Sequence, residues 1–70
     1  MTLEIFKKLP IGLYKIYWKE SSGGGHSLVS IGVTREGGRW IAPTNWVFPA
    51  TVNTEILESI ESVYPISLPY

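Results

Sequence analysis

The 70-residue chain has no cysteine, no aspartate and a single histidine, His26. Without cysteine there can be no disulfide and no thiolate zinc site. One histidine excludes a histidine-rich metal site within one chain. A Ser–His–acid array needs its base held by an orienting group. His26 instead ends the polar run Glu20-Ser21-Ser22-Gly23-Gly24-Gly25-His26, where little would hold it. The residues therefore point to a protein that is not an enzyme and carries no cofactor or metal. Long apolar runs are also missing. Lys7 and Lys8 interrupt the first one, and no stretch approaches the roughly 18 apolar residues of a membrane span or reads as a signal peptide. The expectation is a soluble protein of a reducing cytoplasm, with no membrane partner. Positive charge is absent after Arg39, so the chain has a basic front and an end carrying Glu55, Glu58 and Glu61. The formal net charge is zero, which disfavours long nucleic acid as a partner.

Aromatic residues are abundant: three Trp, four Tyr and two Phe. A single small domain buries only about 60% of its unfolded surface. Large rings, each burying about 150–250 Å², can make up part of that deficit. Rings left at the surface would instead favour self-association. Two tryptophans fall in Gly37-Gly38-Arg39-Trp40-Ile41-Ala42-Pro43-Thr44-Asn45-Trp46. Each buried indole N–H needs a partner, so at least one tryptophan is expected to keep a face in solvent.

Residues 1–9 are ambiguous between a short helix capped by Thr2 and an edge strand. Leu9-Pro10-Ile11-Gly12 reads as a turn. Residues 13–19 alternate as a strand, with Tyr14, Ile16 and Trp18 toward the core and Leu13, Lys15, Tyr17 and Lys19 on the other face. The glycine run reads as an exposed, mobile hairpin loop. Residues 27–34 form the partner strand, with Val29, Ile31 and Val33 on one face. Gly32 marks a bulge, or a place where a ring or ligand meets the backbone. After a Gly-Gly turn, residues 39–42 form a third strand with Arg39 and Ile41 opposite Trp40 and Ala42. Trp46-Val47-Phe48 reads as a fourth, closed by Pro49. At the C-terminal end Thr51, Asn53 or Thr54 can cap a helix. Ile56, Leu57, Ile60 and Val63 then recur at helical spacing opposite the glutamates, which predicts an amphipathic helix of about three turns ending at Pro65. The apolar tail of residues 66–70 would lie on the sheet or on a neighbour. The expected fold is α+β: a curled antiparallel sheet of three to five strands, or a small SH3-like half barrel, with one C-terminal helix.

Arg39, Trp40, Asn45, Trp46, Gly24, Gly25, His26 and Tyr17 are the candidate ligand-binding residues. An arginine fork, aromatic walls and a glycine flap would suit an anionic, nucleotide-like ligand. The same parts would suit a single strand by stacking. A third reading is a protein–protein inhibitor that docks through Tyr17, Tyr70 and one tryptophan on a host enzyme.

The pattern Gly12-x-Tyr14-x-Ile16-x-Trp18, Gly24-Gly25-His26-Ser27, Gly32 and Arg39-Trp40-Ile41-Ala42-Pro43-Thr44-Asn45-Trp46 resembles that of small accessory proteins encoded by phages and prophages. It covers roughly residues 9–49. The resemblance implies an accessory protein of the host cytoplasm. Such a protein would counter a host defence by binding a host protein or sequestering a nucleotide signal. Homo-oligomers are expected separately, from the surplus of aromatic rings.

Overall fold

The computed structural model describes residues 1–44 and 46–66. Its elements run α1 (Leu3–Lys7), β1 (Gly12–Trp18), a 3-10 turn (Glu20–Ser22), β2 (His26–Val33), β3 (Arg39–Pro43), β4 (Ala50–Thr51), α2 (Thr54–Ser59) and β5 (Ile60–Pro65). The strands form one open antiparallel sheet in the order β4-β3-β2-β1-β5.

The three central strands form because period-two apolar stretches are separated by glycine turns that can take positive φ. Gly37 turns at φ 85° between β2 and β3. Tyr14 pairs with Val29, Ile31 with Ile41, and Ile16 with Val63. These residues share one face, the inner one. Phe6 from α1 and Leu57 from α2 join them in a single buried cluster with Val52 and Ile60. Tyr14, the core residue with a polar tip, donates its hydroxyl to the Pro10 carbonyl at 2.6 Å.

The last strand lies at the opposite edge from β4, so the chain must cross the inner face between them. From Thr51 to Ile60 the chain takes about four extended and five helical steps, a reach of about 21 Å. Four strand spacings across a flat sheet would need about 19 Å. The crossover is therefore only just long enough, and it presses Val52 and Leu57 into the core.

Several expectations change. The first residues are helical: the Thr2 hydroxyl accepts the Ile5 N–H, at 3.3 Å. Residues 46–48 form no strand, and the fourth strand is Ala50–Thr51 instead. The C-terminal helix is capped by Asn53, whose Oδ1 accepts the Ile56 N–H at 2.9 Å, but it stops at Ser59. From Ile60 the chain is a strand against β1, bulged at Glu61: Tyr17 pairs with Ser62 and Trp18 with Ile60. The loop after β1 is tied down by backbone bonds, with the Gly24 N–H donating to the Lys19 carbonyl and the Trp18 N–H to Gly25, each at 3.0 Å. Val33, expected in the core, is the last residue of β2, paired with Arg39, and is 43% exposed. The expected tail lies, but for Ile66, outside the described residues.

Candidate functional site: an open aromatic sheet face

Both helices place their buried side chains on the inner face. The outer face keeps Leu13, Leu28 and Tyr64 exposed. Register sets what this face carries. Tyr17 of β1 is opposite His26 of β2, and Lys15 is opposite Leu28 on one side and Tyr64 of β5 on the other. The rings gather across three adjacent strands. Tyr17 and His26 have centroids 5.6 Å apart with planes tilted by 49°. Tyr17 and Tyr64 meet edge to face at 5.7 Å. Both distances lie in the range of attractive ring pairs. The Lys15 ammonium sits over the Tyr17 ring, 5.3 Å from its centroid, as cation–π attraction favours. Among the paired outer-face positions Lys15 is the one formally charged residue.

The candidate residues do not converge on one pocket. Tyr17, His26 and Trp40 lie on the outer face. Trp40 is opposite Gly32, and its indole covers that glycine so closely that a Cβ there would overlap ring atoms Cζ2 and Cε2. Arg39 points to the inner face beside Ile41. Its Nη2 donates to the Lys7 carbonyl at 2.7 Å, and its Nε is buried with no described acceptor. It straps α1 to the sheet rather than standing beside Trp40. Trp46 is 43% exposed and lines a separate cleft with Trp18, Ser22, Glu55, Ile56 and Ser59. The glycine flap is not a row of free donors, because the Gly23 and Gly24 N–H groups are spent on Glu20 and Lys19. Asn45 lies outside the described residues. The sequence reading missed Tyr64 and Lys15. Lys15 was readable from alternation with Tyr17, whereas Tyr64 was hidden by the helical reading of its segment.

Among the described residues no group of three or more His, Cys, Asp or Glu side chains could hold a metal ion. No helix among them is long and apolar enough to cross a membrane. No protein-family model, curated protein or solved structure matches the chain.

Proposed function

We propose that the chain is a non-enzymatic binding module that holds unpaired nucleotide bases on its open sheet face. The observation that carries this reading is the row His26–Tyr17–Tyr64 across β2, β1 and β5, with Lys15 the one charged residue at the face's paired positions. Exposed rings on a sheet offer stacking surfaces to any base, and one ammonium nearby answers a phosphate. The face is open, whereas a site for a free mononucleotide would enclose most of its ligand. A short single strand is therefore the better occupant.

The test is titration of a short oligothymidylate into the whole chain, followed by amide NMR. Shifts should centre on Tyr17, His26 and Tyr64. Tyr64→Ala should weaken binding by about 5- to 100-fold, the range for loss of one stacked base. Absence of any shift at millimolar strand would refute the reading.

A second observation favours self-association. Val47 and Phe48 are 87% and 78% exposed beside Trp46, a cluster of apolar side chains that a second copy or a host protein would cover. A native mass that rises with concentration, and falls back in a Val47→Ser, Phe48→Ser double variant, would show a second copy there. A monomeric mass at every concentration would leave the host-protein reading.

A further inference from the structure

Trp18, Ser22, Trp46, Glu55, Ile56 and Ser59 line a cleft of about 400 Å³, a size that suits a small ligand. It opens where the end of β1, the 3-10 turn, the β3–β4 loop and α2 come together. The Lys19 N–H donates to the Ser59 carbonyl at 2.9 Å, which ties the turn to the helix. Trp18 is held in place: its Nε1–H donates to the Ser27 Oγ at 2.9 Å, and the ring packs against the core. With its N–H spent, this indole can offer a ligand only its ring face. The Ser59 hydroxyl likewise donates to the Glu55 carbonyl at 2.9 Å, so what it has left is a lone pair. Glu55 is the one charged residue among the described lining residues.

The Trp18 ring face, the Ser59 hydroxyl lone pair and the Glu55 carboxylate all present negative potential. Such a lining repels a phosphate and attracts a cation. We propose that this cleft binds a quaternary ammonium group, held between Trp18 and Trp46 with Glu55 as its counter-charge. A bare ammonium is strongly hydrated and needs several acceptors to replace its water. A methylated one carries its charge inside an apolar shell, which matches two indoles, Ile56 and a single carboxylate. The cleft and the open face thus select ligands of opposite sign, and neither proposal depends on the other.

The experiment titrates choline into the whole chain while the three indole Nε1–H resonances are followed by NMR. The uncharged isostere 3,3-dimethylbutan-1-ol is the control, and a short peptide carrying trimethyl-lysine is the second arm. Choline should move the Trp18 and Trp46 signals and leave Trp40 in place. The isostere should bind about tenfold more weakly or worse, since it lacks the cation–π and carboxylate attraction. Glu55→Gln, a change at an exposed position, should keep the melting temperature and lose about tenfold in choline affinity. Trp46→Ala should lose at least as much, and Tyr64→Ala should change nothing. The tighter of the two cationic arms identifies the source as a free small molecule or a protein side chain. The proposal is overturned if neither cation shifts an indole signal at about 10 mM, if the isostere binds as well as choline, or if Glu55→Gln binds choline as the parent does.

Discussion

Gly32 and Arg39 show how single residues divide this small protein between its two faces. A glycine inside a strand gives up side-chain packing and backbone entropy. Here the Trp40 indole lies over it and restores the buried contact. Gly32→Ala should therefore push the indole off the sheet and destabilise the fold by about 1–3 kcal/mol, in the range for overpacked sites. Thermal denaturation would measure the loss, and a red shift of tryptophan emission would accompany it. From the sequence Gly32 could mark a bulge or a close ring or ligand; the register decides for a ring and shows which one. Arg39 is the opposite case. Alternation already places it across the strand from Trp40, and gathering the two into one pocket would need β3 to twist between neighbours. The strand instead stays paired through Pro43. The guanidinium then reaches the end of α1, where it donates to Lys7, with a longer bond to the Gly38 carbonyl. Lysine cannot reproduce that planar fork. Arg39→Lys is expected to cost about 1–3 kcal/mol and to speed amide exchange in α1 before the sheet is affected.

At the scale of elements, the meander β1–β2–β3 was legible because its apolar period is two and its turns are glycines. The end of the chain was not, and the bulge is the reason. An unbroken strand repeats every second residue. The extra Glu61 puts inward-facing Ile60 and Val63 three apart, which is the spacing of a helix. With Ile56 and Leu57 upstream, the segment reads as one long amphipathic helix. What decides against it is the vacant edge of β1: pairing there satisfies backbone groups and buries Ile60 and Val63 against Trp18 and Ile16. With only six residues, α2 depends on its cap and its place in the core rather than on helical propensity. Asn53→Ala removes the acceptor for the Ile56 N–H. It should lower stability by about 1 kcal/mol, seen as an earlier urea midpoint at an unchanged slope.

At the scale of the whole molecule, zero net charge hides an unequal distribution. Lys15 stands on the outer face among rings, Glu55 in the cleft among indoles, and the remaining basic residues lie elsewhere. A strand stacked on the outer face would thus meet few cations, however many lysines the chain has in total. Each phosphate neutralised contributes a slope of about −0.7 to log affinity against log salt for single strands. One or two such contacts give about −0.7 to −1.4, so binding should weaken by about three- to sevenfold between 50 and 200 mM salt. Lys15→Ala should flatten the slope by about 0.7 while Tyr64→Ala leaves it unchanged, because one removes a charge and the other a stacking surface. Anisotropy of a labelled oligothymidylate at four salt concentrations would measure both. A parent slope near −4 would require several phosphate contacts at once. The outer face has one lysine at its paired positions, so such a slope would move the strand to basic residues elsewhere on the chain.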